Sequence, residues 1–246
     1  LSLYSGLLPA MAETYIQGYK TLMRYYISQG LHYGMWFSLF LFAALSAVGN
    51  RVVVGIAGAA FVDVTVWLLP VLFWGALQWG AWFTNQVLLA TDHPALISWL
   101  TIGEQAVRAG LTVVFVLARG IAGLPAAFAI ALLLRVMVAW VIVHRRAGRL
   151  HIYMWRTVIA PAVAAWAVYV ALRVAGNWGW TPTVSASVVL LIVALAPALA
   201  LYGFLTALLG GWDDGSLAEL QRATCLSGIG FPLAALLTFG VRLGAR

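Results

Sequence analysis

The sequence predicts an all-α integral membrane protein with about six transmembrane helices, and three observations carry that expectation. Hydrophobic residues make up 64% of the 246 positions and charged residues only 9%, where a soluble domain is about a quarter charged. Mean hydropathy is +0.98. Twelve Trp and 24 Gly suit a bilayer, where Trp lines the interfaces and Gly permits close helix packing. This composition excludes a soluble enzyme, a disordered tail and a disulfide scaffold. A single cysteine, Cys225, excludes an internal disulfide and a multi-cysteine metal site.

A bilayer span needs about 20 mostly apolar residues, and windows at 31–49, 64–90, 95–118, 121–143, 156–175 and 184–209 qualify. Ahead of them, Leu1–Ala12 reads as the end of an earlier helix, followed by a polar amphipathic turn around Glu13–Arg24. The Gly- and Val-rich stretch 52–62 reads as a re-entrant or surface segment. Beyond Gly210–Gly211, Asp213-Asp214-Gly215-Ser216 with Glu219 has the form of a capping box. The last apolar stretch, 228–243, is broken by Gly228, Gly230 and Pro232, and fits a lipid-surface helix or a packed hairpin equally. Without an initial Met or a signal peptide, the chain reads as a fragment of something longer.

The net charge of +7 is explained by topology and anionic headgroups, so no nucleic-acid partner is expected. Lys20, Arg24, Arg145, Arg146, Arg149, Arg156, Arg222, Arg242 and Arg246 fall on one side of the predicted spans, and Arg51, Arg119 and Arg173 on the other. The positive-inside rule therefore predicts a cytoplasmic C-terminal tail and a cytoplasmic 144–156 loop. Trp178 and Trp180 lie where an interfacial belt belongs.

Two stretches resemble a known family. Leu7-Leu8-Pro9-Ala10-Met11-Ala12-Glu13, then Gly18-Tyr19-Lys20 and Arg24-Tyr25-Tyr26, resembles the cytoplasmic loop after the second helix of a MATE-like half. Gly120-Ile121-Ala122-Gly123-Leu124-Pro125-Ala126-Ala127, followed by Arg135, resembles the start of that half's last helix. Together they look like the C-terminal part of a MOP-superfamily exporter, on the polysaccharide or lipid-linked-oligosaccharide flippase branch. The resemblance implies a fourteen-helix protein of which residues 1–143 match part of the C-terminal lobe, 144–210 two additional helices, and 211–246 a cytoplasmic or interfacial tail. It implies a multi-pass protein of the plasma (inner) membrane that moves a polyprenyl-linked glycan by alternating access. An N-terminal lobe of the same chain would be its structural partner, with no cofactor and no covalent chemistry.

Ionisable residues inside spans are costly, which makes each a candidate for function. Glu104 and Arg108 stand at i and i+4, either as a cation-responsive carboxylate beside an anion-binding guanidinium or as a pair that neutralises itself. Arg135 is within snorkelling reach of the headgroups, or else faces a cavity and meets a lipid phosphate. Trp67, Trp74, Gln78, Trp82 and Asn85 recur at sevens, fours and threes and share one helical face. Flat rings interleaved with amides suit contact with sugars, and equally suit packing. The candidate cavity residues are thus Glu104, Arg108, Arg135, Trp74, Gln78, Trp82 and Asn85.

No phosphate loop, zinc-helix motif or paired catalytic carboxylates occur, and His32, His93, His144 and His151 lack metal spacing. Two rival functions remain. A multidrug or cation antiporter of the MATE type would not need the spans at 156–209. A membrane-bound glycan-processing enzyme would place acidic or His residues at loop edges, where Asp92 and His93 stand.

Overall fold

The computed structural model describes residues 7–146, 153–177 and 183–212, with isolated positions 215, 218, 239 and 243. The described residues are helical, with no strand among them. A chain in hydrocarbon must satisfy its backbone polar groups within itself, and a helix does so residue by residue. The helices are α1 (Leu7–Ile16), α2 (Lys20–Ala57), α3 (Thr65–Ala90), α4 (Pro94–Arg119), α5 (Leu124–Arg146), α6 (Ala160–Ala175) and α7 (Val184–Leu208). A π turn, Trp155–Ile159, leads into α6.

Among the described residues, four helical stretches are long and apolar enough to cross a membrane: Lys20–Ala57, Thr65–Ala90, Pro94–Arg146 and Trp155–Ala175. These are the helices of a membrane-embedded protein. The third stretch, 53 residues long, is not straight. Gly120, at φ 65°, ends α4, and a single 3-10 turn (Gly120–Gly123) starts α5. A Cβ on Gly123 would lie 2.5 Å from the Phe115 carbonyl oxygen, so only glycine allows so close a return. The stretch folds back as two packed helices of 26 and 23 residues, each about 35–39 Å long at 1.5 Å per residue.

The structure corrects two boundaries. Residues 52–57 are not a separate re-entrant or surface segment: α2 runs unbroken for 38 residues to Ala57. No proline occurs between Pro9 and Pro70, and the break comes only at Gly58, φ 94°. A 3-10 turn, Ala59–Val64, then leads to α3. The polar turn is also narrower than 13–24. It is confined to Gln17–Tyr19, where Gly18 adopts φ 74°, and Lys20 and Arg24 already belong to α2. The windows 31–49 and 64–90 lie in α2 and in the turn plus α3. Windows 95–118 and 121–143 lie in the hairpin, 156–175 in the π turn plus α6, and 184–209 in and just beyond α7.

The chain divides into two compact units, one of residues 1–38 and 69–152, the other of 39–68 and 153–246. Where lipid is as apolar as the helix surfaces, packing comes from close van der Waals fit rather than from escape from water. The first unit achieves it with large side chains. Met11, Met23, Ile27, Phe83, Val87, Leu88 and Val143 form a buried cluster, and Phe83 meets Trp79 edge-on at 4.8 Å between centroids.

The second unit uses small residues. Ala43, Ala44 and Ala47 of α2, Ala160, Ala164 and Ala165 of α6, and Ala198 and Ala207 of α7 are all buried, which lets backbones approach closely. Phe40 and Tyr202 meet at 5.4 Å, and Arg51 Nη2 donates to Asn177 Oδ1 at 2.5 Å. Leu1–Gly6, Arg149, His151, Trp178, Trp180, Asp213, Asp214, Ser216, Glu219, Arg222, Cys225, Arg242, Arg246 and most of 228–243 lie outside the described residues.

Candidate functional site: a buried carboxylate between two arginines

Helical spacing starts the site and the hairpin completes it. Thr101, Glu104 and Arg108 stand at i, i+3 and i+7 on α4, one face of a helix. The reversal at Gly120–Gly123 then carries α5 back along α4, which sets Arg135 opposite Glu104. Glu104 Oε1 accepts from Arg108 Nη2, and Oε2 accepts from Arg135 Nη1 at 2.6 Å. The second nitrogen of the Arg135 fork, Nη2, donates to Asn85 Oδ1 on α3 at 3.2 Å and to Thr101 Oγ1 at 3.3 Å. Thr101 gives its own hydroxyl proton to the Ile97 carbonyl at 2.8 Å, which leaves its oxygen free to accept. Arg135 thus ties three helices together, as a planar fork can and a single ammonium cannot.

Glu104 is buried and the two arginines are half-buried. Side-chain exposure is 3% for Glu104, 11% for Arg135 and 19% for Arg108. Arg108 also lies over the Phe128 ring, 4.7 Å from its centroid, a cation–π contact that offsets part of its desolvation. One carboxylate facing two guanidinium groups leaves a formal excess of one positive charge. The Nε atoms of both Arg108 and Arg135 are buried without a hydrogen-bond partner. Excess charge and unused donors point the same way: the arrangement has capacity left for an anion.

These distances give the ionisable residues of α4 and α5 their partners. Arg135 does not snorkel to the helix end, because Glu104, Asn85 and Thr101 hold its fork about three turns inside. Glu104 and Arg108 do not stand alone as a pair: a second arginine shares the carboxylate. Of the seven candidates, Glu104, Arg108, Arg135 and Asn85 come together. Of the other three, Gln78 and Trp82 are exposed and Trp74 is half-buried. Trp82 instead meets Trp79, centroids 5.3 Å apart, and Trp74 Nε1 is buried without a hydrogen-bond partner.

Thr101 is the member that sequence reasoning missed. A threonine in an apolar helix is ordinary, but its place three residues before Glu104, on the face that carries Arg108, was the available signal. Asp63 is exposed in the 3-10 turn just ahead of α3, where the positive end of a helix dipole favours a carboxylate. His93 hydrogen-bonds through Nδ1 to the Thr91 carbonyl in the bend between α3 and α4. Comparison of the chain with protein-family models, with curated proteins and with solved structures finds no match.

Proposed function

We propose that this chain is part of a membrane transporter, a flippase-like exporter that moves a phosphate-bearing, lipid-linked glycan across the bilayer. The single observation that carries the proposal is the excess positive charge of Arg108 and Arg135 around the buried Glu104, within helices apolar enough to span. A cation within a span is retained where it is paired or where it serves a charged cargo. Here the pairing is incomplete by one charge, and the guanidinium fork is the group best matched to phosphate oxygens. Glu104 orients the two arginines, and Asn85 and Thr101 fix the plane of the Arg135 fork.

In this reading α2 to α7 are six spans, the 144–156 loop and the tail face the cytoplasm, and a second lobe completes a central cavity. Alternating access then requires only that the lobes rock about the bound headgroup, with no bond made or broken. The resemblance to MOP-superfamily exporters supplies the glycan; the cluster supplies the reason for an anionic linkage. A cation antiporter is the weaker alternative, because both Glu104 oxygens are already engaged and the net charge of the cluster repels a cation. A glycan-processing enzyme is weaker still, since it would rest on a single Asp-His pair at a loop edge, Asp92 and His93.

The test is translocation in proteoliposomes by the complete protein, with a fluorescent polyprenyl-phosphate-linked sugar as cargo. Protein-dependent translocation is expected, falling at least tenfold in a folded Arg135→Gln variant. Equal rates in vesicles with and without protein would end the proposal.

A further inference from the structure

A second basic site lies away from the Glu104 cluster, at the end of the first unit where α1, α2 and α5 meet. There a cavity of about 160 Å³ is lined by Lys20 and Arg24 from the first turns of α2 and by Arg145 and Arg146 from the last turn of α5. Thr14, Tyr15, Gly18 and Met23 complete the lining, which contains no carboxylate. The turn at Gly18, φ 74°, brings α1 back onto α2 and so places Tyr15 beside Lys20. Two pairs of cations about 120 residues apart in sequence therefore surround one small space. All four are exposed, and cations gathered around one opening can donate to the same anion.

We propose that this cavity binds a phosphate group, supplied by the headgroup of an anionic phospholipid. The size fits. At about 160 Å³ it exceeds the ~30 Å³ of a single water several-fold, yet falls short of the ~300 Å³ where pockets for whole ligands begin. A phosphate group fits within that volume. The surroundings fit a lipid rather than a free ion, because apolar and aromatic side chains flank the cations on the outer surface. Ile16 is 83% exposed and Tyr19 59%, as suits acyl chains and the interfacial belt. All four cations belong to the side that the charge asymmetry of the sequence assigns to the cytoplasm, where anionic lipids concentrate. The site shares no residue with the Glu104 cluster and stands whether or not the chain is a transporter.

The test is native mass spectrometry of the complete protein released from phosphatidylcholine vesicles containing one tenth phosphatidylglycerol. The parent is expected to retain the anionic lipid in preference to phosphatidylcholine. Arg145→Gln/Arg146→Gln is expected to weaken retention roughly 10- to 30-fold, and Arg145→Lys/Arg146→Lys to keep it. Arg119→Gln/Arg173→Gln removes two exposed arginines from elsewhere and should change nothing. A thermal-shift titration with inorganic phosphate in neutral detergent separates the sources. Stabilisation by phosphate, lost in the glutamine variant while lipid retention stays equal, would keep the phosphate site and overturn the lipid as its occupant. Equal retention by parent and glutamine variant, with no response to phosphate in either, would overturn the site itself.

Discussion

Removing the buried carboxylate from the cluster should harm the protein more than removing either arginine. Glu104→Gln preserves shape and one acceptor oxygen, but takes the cluster from one excess positive charge to two. Both guanidinium groups then face each other at 11% and 19% side-chain exposure. Breaking a buried ion pair by deleting one partner costs about 3–5 kcal/mol, most of it the uncompensated charge left behind. Arg135→Gln removes charge-assisted bonds worth about 1.5–3 kcal/mol, yet leaves a balanced Glu104–Arg108 pair. Glu104→Gln should therefore exceed Arg135→Gln by about 2 kcal/mol. The double variant should recover part of the loss, with a coupling of about 1–3 kcal/mol. Unfolding by SDS in mixed micelles, followed by tryptophan fluorescence, reads all four proteins on one scale. If Glu104→Gln proves no more damaging than Arg135→Gln, excess charge is not what governs the cluster.

Two further outcomes follow from packing, readable in the same titration. A Cβ on Gly34 would lie 1.3 Å from Trp79 Nε1, on an indole hemmed by Trp82 and Phe83 at 5.3 and 4.8 Å. Gly34→Ala should cost about 1–3 kcal/mol, while Gly75→Ala, with nothing within 4 Å, should cost nothing. Trp155 Nε1 donates to the Leu209 carbonyl at 2.9 Å, closing the end of α7 onto the π turn, so Trp155→Phe should lose about 0.5–1.5 kcal/mol. Equal effects at Gly34 and Gly75, or a neutral Trp155→Phe, would contradict the packing described.

What the sequence revealed and what it hid divide along the distance between partners. Glu104 and Arg108 are four residues apart, so helical spacing alone pairs them. Arg135 and Asn85 stand out singly, as polar groups in apolar runs, but their meeting depends on a reversal that Gly120 and Gly123 impose. The same limit hid the basic cavity: Lys20 and Arg146 each read as topology, and only the packing of α5 beside α2 makes them a site. Hydropathy windows also stop where polar residues begin, whereas a helix stops where its backbone must. Hence α2 extends past the first window at both ends, back to Lys20 and on to Ala57.

Paired binding measurements decide whether Arg108 and Arg135 recognise an anionic group. The complete protein in nanodiscs would be titrated with a polyprenyl-phosphate-linked sugar and with the same molecule lacking its phosphate. The phosphorylated form should bind at least tenfold more tightly, and Arg108→Gln/Arg135→Gln should lose that preference. Equal affinity of the parent for both molecules would contradict such recognition.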